Sequence, residues 1–274
     1  MKVLASLSLI VLLAAASAQA PRPATPGRDP KKIQVLILAG YDMHDWRAVT
    51  EELRATLEAT GRFEVRANEE PVGCTERTFD GYDAVVLNFT NHAGVFGPPW
   101  PEETRRALLS VLDRGKGVVA FHAALSAHAD WPEYEVMIGG AWRGGAKHSP
   151  YHGFRVDLEA PDHPILEGLP ASFVTHDELN QGLAMQPGIT VLATAYDDPE
   201  NRGPGPQGVR GSGEDEPVMW TLPYRKGRVF TTALGHDLRS VRAPGFVATF
   251  RRGVEWAATG EVTIAPPPGL GDED

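Results

Sequence analysis

Continuous apolar runs alternate with amphipathic segments through the first half of the chain. The run at residues 33–39 (IQVLILA) ends at Gly40, and such an uninterrupted run is typical of a strand buried on both faces. Further strands are predicted at residues 63–67, 84–89 and 117–121. The pattern indicates a sheet that is covered on both faces.

Helical periodicity separates the predicted strands. Residues 46–60 carry apolar side chains four apart, and Gly61 is typical of the end of a helix. A second helix is predicted to begin at Pro101 and to end near Gly115. Strands that alternate with helices in this way predict an α/β fold with a mostly parallel sheet and helices on both faces.

The second half of the chain is richer in strands. A final helix at residues 244–258 carries an apolar stripe that predicts core packing. Residues 197–216 are rich in Gly, Pro and charge, so we expect them to form a mobile loop. The strands predicted in this half are residues 154–158, 173–175, 190–195, 217–222 and 228–232.

The N-terminus has the features of a secretory signal peptide at residues 1–20. Lys2 precedes an apolar segment at residues 3–15, and the small residues Ala18 and Ala20 mark a cleavage site. The apolar segment is short for a membrane span, although an uncleaved anchor is the alternative. We therefore expect a periplasmic or secreted protein without stable membrane insertion after cleavage.

The segments that flank the domain are predicted to lack a core. Residues 21–32 are a Pro-rich linker, and residues 264–274 are predicted to be a disordered tail. The folded domain is therefore expected at residues 33–263.

Composition restricts the classes of partner and chemistry. Asp and Glu number 36 against 26 Lys and Arg, which gives a formal charge of −10 and argues against a nucleic-acid partner. Cys74 is the single cysteine of the 274 residues, so no intrachain disulfide is expected. Because Cys74 lies in a polar loop away from any predicted strand end, it is not a candidate nucleophile.

Histidines are concentrated where parallel strands end, which is where such sheets bind ligands. Residues 40–46, 90–100 and 122–130 each follow a predicted strand, and each contains histidine. A surface hydrogen bond is the simpler interpretation of any single one, but several imidazoles at one sheet edge would bind a metal or transfer protons. The histidines at or near predicted strand ends are His44, His92, His122, His128, His176 and His236.

His122 is the strongest of these candidates. It follows the strand at residues 117–121 and precedes a predicted turn, which is the arrangement that presents the nucleophile in many hydrolases. Because that role needs Ser or Cys, a covalent acyl-enzyme is not predicted.

Two other clusters place an acid close to a histidine. His176 and Glu178 would project to the same side if their strand continues, where they would share a metal or let Glu178 act as a base. A charged strand end is the alternative interpretation. Beside His236, Asp237 would either hold the imidazole in one tautomer or cap the next turn.

A glycine-rich run at residues 139–145 (GGAWRGG) has the features of a sugar-binding segment. It offers backbone amides and the aromatic face of Trp142, which would stack on a sugar ring. It lacks the G-x-G-x-x-G order and does not lie between a strand and a helix, so no nucleotide cofactor is expected.

Several motifs occur in an order shared with a known family. They are VLILAGYDMHDW, FDGYDAVVLN, GKGVVAFHAA, IGGAW, DHPILEGLP, HDEL, PVMW, KGRVFTTALGHD and FRRGVEW. Over residues 33–258 the chain resembles the ThuA-like (trehalose utilisation) family. The resemblance implies a flavodoxin-like fold of the class I glutamine amidotransferase-like superfamily, a three-layer sandwich with a mostly parallel sheet. Amidotransferases carry a cysteine where His122 stands, so glutaminase activity is not implied.

The resemblance also implies a function. We expect an exported protein that processes a small-molecule carbohydrate, either a disaccharide or a keto-sugar derivative. His122, Glu178 and His236 match polar positions of the family, and we predict them as the catalytic residues and as ligands of a divalent metal. Zinc is favoured because imidazole nitrogen and carboxylate oxygen suit it. The predicted substrate-binding residues are His44, His128, Trp142, His176 and Asp237.

One departure from the family and one alternative stay open. The family often has a tyrosine after the D-E-L step, where this chain has Asn180. The alternative function is a non-catalytic sugar- or protein-binding module on the same fold. The sequence also leaves assembly into a homo-oligomer open.

Overall fold

A computed structural model describes residues 31–92, 96–201 and 209–270. The helices are α1 (Trp46–Glu58), α2 (Glu102–Asp113), α3 (Pro132–Ile138), α4 (Leu238–Arg242) and α5 (Pro244–Thr259). The strands are β1 (Ile33–Gly40), β2 (Phe63–Asn68), β3 (Ala84–Phe89), β4 (Gly117–Phe121), β5 (Gly140–Ala141), β6 (Lys147–His148), β7 (His152–Leu158), β8 (Ser172–Asp177), β9 (Asn180–Gln181), β10 (Ala184–Met185), β11 (Thr190–Tyr196), β12 (Asp215–Tyr224) and β13 (Gly227–Thr232).

The central sheet has nine strands in the order β2-β1-β3-β4-β13-β12-β11-β7-β8. The first five are mutually parallel, and their order is the flavodoxin-like order 2-1-3-4-5 with β13 as the fifth strand. Each of the remaining four strands is antiparallel to the strand before it in this order. β11 and β8 therefore have the same direction as the first five strands, so seven of the nine strands are parallel to one another. The predicted α/β fold with a mostly parallel sheet is confirmed.

Both faces of the parallel strands are buried because helices cover each of them. Every residue of β1, β3 and β4 is buried. Val35 and Ile37 of β1 belong to the apolar cluster that contains side chains of α1 and α5, whereas Leu36 and Leu38 belong to the one that contains side chains of α2 and α3. Alternate side chains of one strand therefore enter two separate cores, which makes the domain a three-layer sandwich.

The segment at residues 197–216 was predicted to be a mobile loop. In the structure its first residue is buried and its last two residues belong to a strand. Asp197 is fully buried, and its carboxylate accepts hydrogen bonds from Gln181 Nε2 at 2.8 Å and from the Ser212 backbone N–H at 2.9 Å. Strand β12 already begins at Asp215. One buried carboxylate therefore holds the flanks of a segment whose composition indicates a loop, while residues 202–208 lie outside the described residues.

The C-terminal segment also differs from the predicted disordered tail. Ile264 and Leu270 pack against the apolar core, and the guanidinium of Arg252 donates a hydrogen bond to the Ile264 carbonyl. The described part of this segment, up to residue 270, is therefore continuous with the domain. The predicted signal peptide at residues 1–20 and nearly all of the linker lie outside the described residues. In the part that is described, no helix is long and apolar enough to cross a bilayer.

We predict that Gly117→Ala destabilises the protein by about 1–3 kcal/mol, because its new methyl group would overpack the contact between β4 and α5. A Cβ atom at residue 117 would lie 2.4 Å from the backbone carbonyl carbon of Ala257. Urea unfolding measures the change. Gly73→Ala is the control, since a Cβ there meets nothing within 4 Å. Equal unfolding midpoints for the two variants would contradict the prediction.

Candidate functional site

Four side chains of types that can bind a metal meet at the edge of the sheet where the parallel strands end. They are His44 after β1, His122 after β4, Glu178 after β8 and His236 after β13, and one potential ligand atom from each lies within 4.8 Å of the other three. The ring centroids of His44 lie 4.9 Å from His122 and 4.6 Å from His236. The three imidazole planes cross at 71° to 85°. The structure thus brings together all three residues predicted as metal ligands and adds His44 to them.

The backbone at His122 forms the sharp turn expected after β4. His122 has a φ of 37°, in the left-handed region that non-glycine residues rarely adopt, and it begins a 3-10 turn that ends at Ser126. Its Nδ1 lies 2.8 Å from the carbonyl oxygen of Ala233. Because a carbonyl only accepts, Nδ1 carries the proton and Nε2 remains free to bind a ligand.

His44 is oriented by a carboxylate that the sequence analysis did not identify. Gly40 and Tyr41 both have positive φ, and the chain then places Asp42 Oδ1 2.7 Å from His44 Nδ1. Burial alone would raise the pKa of Asp42, but the hydrogen bond and charge of His44 bring that pKa below its ordinary value. A histidine that binds a metal through one ring nitrogen usually donates the N–H of its other ring nitrogen to a carboxylate or a carbonyl.

His236 and Glu178 are in direct contact within the cluster. The His236 Nδ1 atom lies 3.0 Å from Glu178 Oε2. An imidazole nitrogen and a carboxylate oxygen this close could both bind one cation. The donor set of three imidazoles and one carboxylate fits zinc or another late transition metal.

Burial and neighbouring charges set the ionisation of these groups. Burial, together with the charge of His44, lowers the pKa of His122 to about 4, so this imidazole is neutral at neutral pH. The contact with the Glu178 carboxylate raises the pKa of His236. Burial would raise the pKa of Glu178, but His236 brings it below the ordinary value. Neutral His122 and ionised Glu178 are the forms that bind a metal.

An open cleft of about 200 Å³ is lined by His44, His122 and Glu178 of this cluster. Both polar and apolar side chains line the cleft, and none of the described lining residues is Lys or Arg. The lining residues besides the three that belong to the cluster are Asp42, Met43, Thr90, His92, Ala123, Leu125, Ser126, Trp142, His148 and Asn180. Trp142, predicted to bind substrate, is therefore at the cleft.

The structure places His128 away from the cleft, which corrects its predicted role in substrate binding. Its side chain is fully buried, with ring centroids 4.7 Å from both Trp100 and Tyr134. The backbone N–H of His128 donates to Asn91 Oδ1, and Asn91 Nδ2 lies 3.2 Å from His128 Nδ1. His128 is a core residue of an aromatic cluster.

His176 and Asp237 also lie outside the cleft. The ring of His176 covers Gly153 on the neighbouring strand, where an added Cβ would lie 2.9 Å from Nε2. Because β8 ends at Asp177, strand alternation does not extend to Glu178, so the condition under which His176 and Glu178 would share a side is not met. Asp237 caps α4 by accepting the Ser240 N–H, which was the alternative interpretation.

Several cleft residues were not assigned a role by the sequence analysis. Asp42, Thr90 and Ser126 all belong to the strand-end segments that it singled out, so position relative to a strand end was the available signal. His148 and Asn180 pair with each other on the short strands β6 and β9. Two-residue strands have no periodicity, so the sequence carried no comparable signal for this pair.

Comparison with known proteins decides the family. The profile of ThuA, described as trehalose utilisation, matches residues 34–257. The chain belongs to the ThuA family. A ThuA-like protein from Parabacteroides merdae is 31% identical, with a TM-score of 0.77 over 88% of this chain and 95% of that one. A ThuA-like protein from Bacteroides uniformis is 20% identical, with a TM-score of 0.63 over 87% and 98%, and it shows the shared fold.

A search of curated proteins finds no match to this ThuA-family chain. Family membership indicates a role related to carbohydrates.

We predict that His128 makes the protein less stable in acid. Burial lowers the pKa of His128 to about 3, so the imidazole is neutral when folded, whereas the unfolded chain takes up a proton below about pH 6.5. The stability that depends on neutral His128 is complete above that pH and is lost as pH falls toward 3. Between pH 7.5 and pH 5, the difference in unfolding free energy between wild type and His128→Asn should narrow by about 2 kcal/mol.

Urea unfolding at the two pH values measures that difference. Trp131→Phe changes the same aromatic cluster without a titratable group, so its difference from wild type should not depend on pH. A difference for His128→Asn that is the same at both pH values would contradict the prediction.

Proposed function

We propose that this ThuA-family protein is an exported enzyme that processes a disaccharide or keto-sugar derivative at a metal centre formed by His44, His122, Glu178 and His236. The observation that carries the proposal is the convergence of these four side chains, with one potential ligand atom from each within 4.8 Å of the other three. Export rests on the N-terminal sequence, with Lys2 before an apolar segment.

Each residue of the centre has a defined task in this proposal. His44 and His122 would hold the ion through their Nε2 atoms, because their Nδ1 atoms are held by Asp42 and by the Ala233 carbonyl. A bound divalent ion would polarise a carbonyl group or activate a water molecule. Glu178 would hold the ion through one carboxylate oxygen, and its Oε1, which lies 3.5 Å from His148 Nδ1, would be the group that accepts a proton from the substrate.

The chemistry of the cleft supports an uncharged sugar as the substrate. The indole of Trp142 provides an aromatic face for a sugar ring, and Asn180 and Thr90 provide groups for its hydroxyls. The described lining contains the carboxylates of Asp42 and Glu178 and neither Lys nor Arg, the usual side chains that bind a phosphate, which favours an uncharged sugar. The carbohydrate-related role of the family agrees with this choice.

A cysteine hydrolase mechanism is opposed by the position of the single thiol. Cys74 is 1% exposed, its sulfur lies 3.3 Å from Asn68 Nδ2, and burial raises its pKa to about 11. The sharp turn after β4 instead presents His122. The remaining alternative is a binding module that holds a sugar in the same cleft without turnover.

We predict that the metal-free protein takes up one equivalent of zinc, measured by calorimetry after chelation. His236→Ala should weaken zinc binding at least about 100-fold. Substitution of a residue that only hydrogen-bonds to a metal ligand already lowers metal affinity by about 10–100-fold. His176→Ala is the matched control, because His176 lies outside the cluster. Absence of zinc uptake, or equal loss in the two variants, would contradict the proposed metal centre.

We also predict that His122→Ala abolishes turnover of a keto-glycoside while the thermal unfolding midpoint stays near that of the wild type. The side chain supplies one ligand from a rigid turn, so its removal disables the reaction and leaves both apolar cores intact. Product analysis by chromatography measures turnover. Turnover that persists in His122→Ala would rule out this mechanism, and tight sugar binding by the wild type without product would establish the binding module.

A further inference from the structure

Glu178 and His236 follow strands that are not neighbours in the sheet. Three strands, β12, β11 and β7, lie between β13 and β8. Hydrogen bonds between adjacent strands therefore do not set the distance between the exits of β8 and β13. The side chains at these two exits nevertheless come within 3.0 Å of each other.

A single buried carboxylate connects the two exits. Asp177 is fully buried, and its Oδ1 accepts the backbone N–H of Glu178 at 2.8 Å and that of His236 at 3.2 Å. Its Oδ2 accepts the backbone N–H of Gly235 at 2.6 Å. The backbones of two proposed metal ligands are thus bound to the same carboxylate group.

Gly235 lets the exit of β13 come close enough for this contact. It has a φ of 117°, and a Cβ atom on it would lie 2.1 Å from Cε2 of Phe121. Phe121 immediately precedes His122. The loop between β13 and α4 therefore lies between Phe121 at the end of β4 and the Asp177 carboxylate.

We propose that Asp177 is a positioning residue that holds Glu178 and His236 together as one ligand pair. This inference rests on the proposed metal centre. The Asp177 carboxylate does not belong to the group of potential ligands and does not line the cleft, so it acts through the backbone of its neighbours. Substitution of a residue that hydrogen-bonds to a metal ligand commonly weakens metal binding by about 10–100-fold.

The test compares Asp177→Asn with Asp237→Asn. Asparagine keeps the volume of Asp177 but offers one acceptor oxygen, so it cannot accept the three backbone N–H groups that the carboxylate accepts. Asp237→Asn makes the same chemical change one residue beyond His236, where the side chain caps α4. We expect zinc to bind about 10–100-fold more weakly to Asp177→Asn and unchanged to Asp237→Asn.

Two readouts separate positioning from a general loss of stability. The visible absorption of the Co²⁺-loaded protein reports the ligand set, and we expect it to change in Asp177→Asn and not in Asp237→Asn. Thermal unfolding of the metal-free variants shows whether both are folded at the temperature of the titration. Wild-type affinity and spectrum in Asp177→Asn would overturn the inference while leaving the metal centre in place.

Hydrogen exchange in the metal-free wild type tests the same inference without zinc. The Gly235 and His236 amides lie in a loop and donate to the Asp177 carboxylate, so we expect them to exchange slowly. If both amides exchange as fast as amides of an unprotected loop that make no hydrogen bond, the inference is overturned. Slow exchange in a wild type that binds no zinc would uphold the contact and refute the proposed metal centre, and this measurement also decides the case if Asp177→Asn does not fold.

Discussion

Hydrogen bonding between parallel strands brings the ends of β1, β3, β4 and β13 to one edge of the sheet, and the candidate site depends on that constraint. Each strand lies between two apolar layers, so the residue that follows it starts from a fixed point. β8 runs in the same direction but lies at the far end of the sheet, and it joins the site through Asp177. The strand ends and one buried carboxylate thus place the four side chains, each of which lies in the turn or loop that follows its strand.

The site concentrates features that oppose folding. His122 adopts a positive φ, and Asp177 and Glu178 are adjacent acids in a largely buried setting. Burial raises the pKa of Asp177 to about 7 despite the three N–H groups that it accepts. Such features persist where the surrounding structure is stable enough to impose them, and here two extensive apolar cores do so. Their concentration at one edge is typical of a functional site.

The elements that the sequence predicted are those whose pattern repeats over several residues. β1, β3 and β4 are long apolar runs, and α1 and α5 carry apolar side chains at helical spacing. α3 and α4 have 7 and 5 residues, too few for a periodic pattern, and they were not predicted. Composition also gave no sign that Asp197 is buried, because its carboxylate accepts a hydrogen bond from Gln181, 16 residues earlier in the chain. Local pattern therefore predicts local structure and fails where a contact across the chain decides it.

The sequence by itself determined the family, the parallel sheet and the strand ends at which His122, Glu178 and His236 lie, because these follow from apolar periodicity and from ordered motifs. It did not distinguish His44 from His128, since both are histidines beyond a strand. Only the tertiary structure decided that His44 turns toward the cluster and that His128 enters an aromatic core. The direction of a side chain after a strand depends on where backbone pairing stops and on what packs against the turn, and both are properties of the folded chain.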